Sequence, residues 1–170
     1  MALRVHSGRR ATIEPARLAP PDSSLARDAR EAAEDLLAPV LRNHLHRAYA
    51  WAAAVAARDG ISFDRELLYL AAMLHDTGLP SPAPHVDFHR AQRGGYLMSA
   101  GAAVDVFGLR SNEIPDAVRR SVVAQFPRLG FKREFAALWR AEADRVPRGR
   151  AWFPPRFAVT DLGIRMAPFG

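Results

Sequence analysis

The sequence predicts an all-α protein, an irregular single-domain bundle of about six helices. Three observations predict it. Alanine, the strongest helix former, supplies 32 of the 170 residues, while strand-favouring residues are scattered. Apolar residues recur at three- and four-residue spacing through most of the chain. The length suits one core, since domains most often run roughly 100–150 residues and a second core needs more chain. The expected organisation is an irregular arm over 1–23, a helical domain over 24–146, and a Pro-, Arg- and aromatic-rich tail over 147–170 that packs on the domain.

Each element follows from local chemistry. Pro15, Pro20 and Pro21 leave the arm without a period. Ser24 can cap a short helix over Leu25–Leu37, which Pro39 stops. Leu41, Leu45, Ala48, Trp51, Ala52 and Val55 mark one face of a long helix to Arg58, closed by Asp59-Gly60. Asp64 caps the next, with Leu67, Leu70, Ala71 and Leu74 as its buried stripe and an end near Asp76. Pro80, Pro82 and Pro84 make 77–94 a loop, with at most one turn near Asp87–Gln92. Leu97, Ala100, Val104 and Phe107 turn inward on a helix over Tyr96–Phe107. Asn112 caps one over Glu113–Gln125 that buries Ile114, Val118 and Val122, and Phe131, Phe135, Leu138 and Trp139 line a last one to Arg145.

Composition excludes several function classes. Hydrophobic residues make up 49% and charged residues 25%, an ordinary globular balance. No apolar run reaches the ~18 residues of a spanning helix, and Met1–Arg10 leads into no apolar signal core, so a cytoplasmic protein without membrane contact is expected. Cysteine is absent, which excludes disulfides, Cys-ligated metals and a thiol nucleophile. Any metal must be held by His, Asp and Glu. The net charge of +6 comes from arginines with a single lysine, Lys132. They form no run longer than two, so a solvated basic surface is expected and nucleic acid is not the expected partner.

Two histidines stand in unusual places. His75 and Asp76 end an apolar helix, where an imidazole and a carboxylate are costly unless paired or bound. His44 shares a face of the preceding helix with Ala48, Trp51 and Val55. The short Asp59–Phe63 connection makes these helices antiparallel neighbours, so the start of one meets the end of the other. His44 then faces His75 and Asp76, a mixed N/O set suited to a divalent transition metal. By contrast, His46, His85 and His89 read as surface or internally satisfied histidines.

The stretch Asn43-His44-x-x-Arg47-x-Tyr49, followed about 30 residues later by Leu74-His75-Asp76-Thr77-Gly78-Leu79, resembles the HD-domain metal-dependent hydrolases, in particular the branch similar to cyanamide hydratase. The resemblance resumes in Gly101–Gly108 and more faintly in Phe126–Lys132. It implies an all-α fold and hydrolysis or hydration of a small-molecule substrate by a metal-activated water. His44, His75 and Asp76 match the family's ligands. A later aspartate usually completes the set, and Asp105 is the candidate, with His89 as the alternative. Asp76 binds the ion or takes a proton from the water. Arg47 binds an anionic oxygen near the metal, pairs with Asp76, or is exposed. Zinc, iron or manganese is expected, with magnesium or nickel as alternatives. Members usually have a longer, helical segment after the His-Asp pair, where this chain has the proline-rich 77–94, so a reduced lid is implied. Alternative readings are a phosphohydrolase acting on a nucleotide-like phosphate and a catalytically degenerate binding or regulatory module. The tail aromatics Trp152, Phe153, Phe157 and Phe169 would cover the pocket or a partner copy in a homo-oligomer.

Overall fold

The computed structural model describes residues 13–77 and 92–146, with 92–95 as backbone only. The expected turn at Asp87–Gln92, up to its last residue, and His85, His89 and the aromatic tail therefore lie outside the described residues. Among those described, every regular element is helical: α1 Pro15–Leu18, α2 Ser24–Leu36, α3 Pro39–Asp59, α4 Arg65–Leu74, α5 Gln92–Phe107, a 3-10 turn Ser111–Glu113, α6 Asp116–Gln125 and α7 Phe131–Arg145. No described helix is long and apolar enough to cross a membrane.

α3 is the axle of the bundle and packs against each of the other six helices. From Arg47 to Ala56 all ten residues are buried. A helix apolar on every side is a core helix. The alanines at 48, 50, 52, 53, 54 and 56 keep this rod thin, so neighbours can approach from all directions. Two apolar clusters flank it. One gathers Leu41, Leu45, Tyr49, Tyr69, Met73, Leu97 and Phe131; the other gathers Ile13, Trp51, Val55, Val104, Ile114 and Val122. Gly60, in the left-handed conformation at φ 67°, ends α3, as Asp59-Gly60 predicts.

α3 and α5 approach closely at Gly101. A Cβ there would lie 2.1 Å from the carbonyl oxygen of Ala48 and 2.9 Å from both Cβ and N of Ala52. None of these atoms belongs to a side chain that can swing aside. In an open helix Gly→Ala would gain roughly 0.5–1 kcal/mol from propensity. Here the sign reverses: Gly101→Ala should cost about 2–3 kcal/mol by overpacking and lower Tm by roughly 5–10 °C. A melting curve that is unchanged or shifted upward contradicts this contact.

Several element details differ from expectation. The arm contains a helical turn, α1, because Pro15 can start one. α2 is capped by Ser23, not Ser24: its side chain accepts from the Ala26 N–H at 3.1 Å. α3 begins at Pro39 rather than Leu41, and α5 at Gln92 rather than Tyr96. Asn112 lies in the 3-10 turn, and α6 starts after Pro115. On α4 the buried residues are Leu68, Tyr69, Ala72 and Met73, whereas Leu67 is exposed. Leucines lie on several sides of α4, so spacing alone does not choose the face. The edge-on contact of Tyr69 with Tyr49, 5.2 Å between centroids, marks the inward side.

His46 is neither a surface residue nor a satisfied one. Its ring stacks on Phe126 at 4.6 Å, and its buried Nδ1 makes no hydrogen bond. Burial, with Arg30 and Arg47 nearby, pushes its pKa down to about 4. The unfolded chain titrates near 6.5, so between about pH 6.5 and 4 it binds a proton that the folded chain refuses. Stability should therefore fall with pH across that window, by on the order of 2 kcal/mol. Urea unfolding with chelator present checks this. The loss between pH 7 and 4 should be smaller in His46→Leu than in the parent, and identical pH profiles contradict it.

Candidate metal centre

His44 sits on the second turn of α3, and His75 and Asp76 follow the last turn of α4. The antiparallel pairing expected from the short connection brings them together. The two rings lie 5.3 Å apart, and both imidazoles and the carboxylate are buried. His44 Nε2 is 3.4 Å from Asp76 Oδ2, and His75 Nε2 is 3.3 Å from the same oxygen. Neither Nε2 makes a hydrogen bond.

The other nitrogen of each ring explains which atom faces the centre. His75 Nδ1 lies 2.8 Å from the carbonyl oxygen of Ala72. His44 Nδ1 lies 2.7 Å from Asp105 Oδ2. Both partners accept hydrogen bonds, so each Nδ1 carries the proton and donates it. In the neutral rings each Nε2 is left with a lone pair, within 3.4 Å of Asp76 Oδ2. A buried lone pair without a donor is costly, and a cation satisfies it. Three donors on a tetrahedral ion at ~2.1 Å would stand about 3.4 Å apart, close to the two distances measured. His44, His75 and Asp76 are the group among the described residues whose ligand atoms could hold a metal ion. Two nitrogens and a carboxylate suit a divalent metal ion.

Charge runs the same way. Burial disfavours the protonated form of His44, but the hydrogen bond and charge of Asp105, with Asp76 beside it, outweigh burial and raise its pKa above 6.5. Burial pushes the Asp76 carboxyl up, and the adjacent imidazoles of His75 and His44 hold it well below the usual carboxylate range. The centre thus stabilises positive charge, whether that charge is a proton or a metal ion.

Asp105, expected as a fourth ligand, is not in this group. It stands behind His44, and its carboxylate is saturated. Oδ2 accepts from His44 Nδ1 and, at 2.9 Å, from Arg47 Nη2. Oδ1 accepts from Arg47 Nε at 2.9 Å, Trp51 Nε1 at 3.0 Å and Arg128 Nη1 at 3.0 Å. Five donors meet a group with about four lone-pair sites. Burial would raise this carboxyl, but the His44 hydrogen bond and the Arg47 charge hold it far below the usual range.

Arg47 is likewise committed. It is fully buried and pairs with Asp105 rather than Asp76, and its Nη1 donates to the carbonyl oxygens of Phe126 and Pro127 at 3.0 and 3.1 Å. A planar fork can hold a carboxylate and a turn together in this way. Its guanidinium is thus engaged by Asp105 and the turn carbonyls, whereas binding an anionic oxygen, pairing with Asp76 or exposure was the expectation.

Sequence reasoning missed the contribution of the α6–α7 turn. Asn43 Nδ2 donates to the Pro127 carbonyl at 2.7 Å, tying this turn to α3. Phe131 stacks on the His44 ring at 4.6 Å, Phe135 approaches it at 5.6 Å, and the guanidinium carbons of Arg47 and Arg128 lie 5.2 and 5.1 Å from the Phe131 centroid. Leu129 is held left-handed at φ 50° within the same turn, a conformation that costs a leucine roughly 1–2 kcal/mol. The one signal available was the run Phe126-Pro127-Arg128-Leu129-Gly130-Phe131, where a turn flanked by aromatics follows a helix. Trp51 was legible as core, but its N–H was not legible as a donor to Asp105.

No protein-family model matches the chain, and no curated protein is similar enough to count as a relative.

Proposed function

We propose that the chain is a metal-dependent hydrolase or hydratase of a small molecule, in line with its resemblance to the HD-domain hydrolases. The observation that carries this reading is the pair of buried Nε2 atoms without hydrogen-bond partners, converging on Asp76. His44, His75 and Asp76 would hold the ion. Such an ion supplies Lewis acidity that activates water and polarises the electrophile at neutral pH. Asp105 orients His44 and keeps its proton on Nδ1, in place of the ligand role expected for it. Asp76 presents an ionised carboxylate to the centre. Phe131 and Phe135 supply an apolar wall that keeps water from His44.

Of the two enzymatic readings, this environment favours an uncharged substrate over a phosphate ester. Arg47 and Arg128, the guanidiniums stacked beside the His44 wall, are engaged by Asp105 and by carbonyl oxygens. Phosphate recognition calls for forked donors aimed at the substrate.

The test is turnover. Protein stripped with chelator and reloaded with zinc, iron(II) or manganese(II) is assayed on small nitriles and amides, and on nucleoside monophosphates and p-nitrophenyl phosphate. Metal-restored activity on the uncharged set is expected. Activity confined to phosphates overturns the substrate ranking. No metal uptake, and no activity with any metal, would leave a helical binding module.

A further inference from the structure

We propose that Arg128 is a positioning residue for the metal centre, acting on His44 through Asp105. The proposal rests on the metal-dependent reading above.

The argument begins with how Arg128 grips its partner. Nη1 donates to Asp105 Oδ1 at 3.0 Å, and Nη2 donates to the main-chain oxygen of the same residue at 2.9 Å. A rigid guanidinium that spans the carboxylate and the carbonyl of one residue closes a ring and fixes that side chain's torsions. The Asp105 rotamer is thereby set, and with it the direction of Oδ2 towards His44 Nδ1 at 2.7 Å. That hydrogen bond fixes both the tautomer of His44 and the placement of Nε2 beside Asp76. Arg128 is itself buried, 7% exposed.

The turn around it is built to hold this pose. Asn43 and Arg47 anchor the carbonyl oxygens of Phe126 and Pro127 to α3. Leu129 takes up a left-handed conformation with its side chain outside. Phe131 then lies flat on His44. One short turn therefore restrains the imidazole twice, through its Nδ1 partner and through its face. The two arginines divide the work. Arg47 grips the Asp105 carboxylate from the same helix as His44, whereas Arg128 grips it from the turn that leads into α7, which carries the aromatic wall.

The test separates positioning from charge. Arg128→Met removes the fork and keeps the stem; Arg128→Lys restores the charge without the fork. Both are compared with the parent chain by cobalt(II) titration, following the visible d–d bands. Metal-free protein is examined by imidazole nitrogen NMR at a pH where His44 is neutral, and folding is checked by circular dichroism and melting in chelator. Loss of an outer partner typically weakens metal binding 10- to 100-fold. Arg128→Met should therefore bind cobalt at least about 10-fold more weakly, with altered bands, and should lose the single Nδ1–H form of His44. Arg128→Lys should regain melting temperature but not cobalt affinity. Unchanged affinity, bands and tautomer in Arg128→Met overturn the proposal, as does full recovery of all three in Arg128→Lys. If neither variant folds, Arg128 holds the chain rather than the imidazole, and the proposal is likewise overturned. If the parent takes up no cobalt, the metal reading fails on its own, and the metal-free nitrogen spectra still decide whether Arg128 positions His44.

Discussion

His75→Ala should abolish stable metal binding while leaving the fold intact. The substitution removes one of three converging donors. Loss of a mere outer partner already costs 10- to 100-fold in affinity, so loss of a ligand should cost at least about 100-fold. Protein purified without chelator should carry less than a tenth of the parent's metal by elemental analysis. Stability measured in chelator should change far less, because the deleted ring also carries a buried nitrogen without a hydrogen bond. Equal metal content in parent and variant would remove His75 from the centre.

Asp105→Ala should show the opposite pattern, a large loss of stability that does not depend on metal. The carboxylate is the shared acceptor for His44, Arg47, Trp51 and Arg128. Removing it takes from two buried guanidiniums, an imidazole and an indole N–H the acceptor they share. Breaking a buried pair in this way typically costs 3–5 kcal/mol, against a total stability of roughly 5–15 kcal/mol. In chelator, Tm should drop by roughly 10 °C or more. A loss below about 1 kcal/mol would show that the network contributes little and that Asp105 is free to serve elsewhere.

The contrast between these variants shows what was legible in the sequence. The meeting of His44 with His75 and Asp76 was readable, because a five-residue connection favours antiparallel neighbours and α3 announces itself by apolar residues at three- and four-residue spacing. The small-residue helix with its acid at 105 was readable as well, but not the acid's role. Whether that carboxylate reaches Nε2 or Nδ1 of His44 depends on how α5 seats on α3. Gly101 sets that seating at a separation no periodicity encodes. Arg47 looked available for a substrate because a lone arginine next to a ligand does not reveal that turn carbonyls 79 and 80 residues downstream will occupy it. Arg128 was one arginine among many, and a turn gives no face or period by which to aim it. The exposed Leu67 marks a similar limit: where several faces of a helix carry leucine, aromatic packing against a neighbour decides which one turns inward.

The most direct test of the central claim is anomalous diffraction from crystals of the full chain grown with zinc(II). The account predicts a single strong peak bounded by His44 Nε2, His75 Nε2 and Asp76 Oδ2, with each donor about 2.0–2.2 Å away, and with Asp105 still on the far side of His44. A peak coordinated by Asp105 but not His75, or no peak among these three side chains in crystals that bind zinc elsewhere, would contradict it.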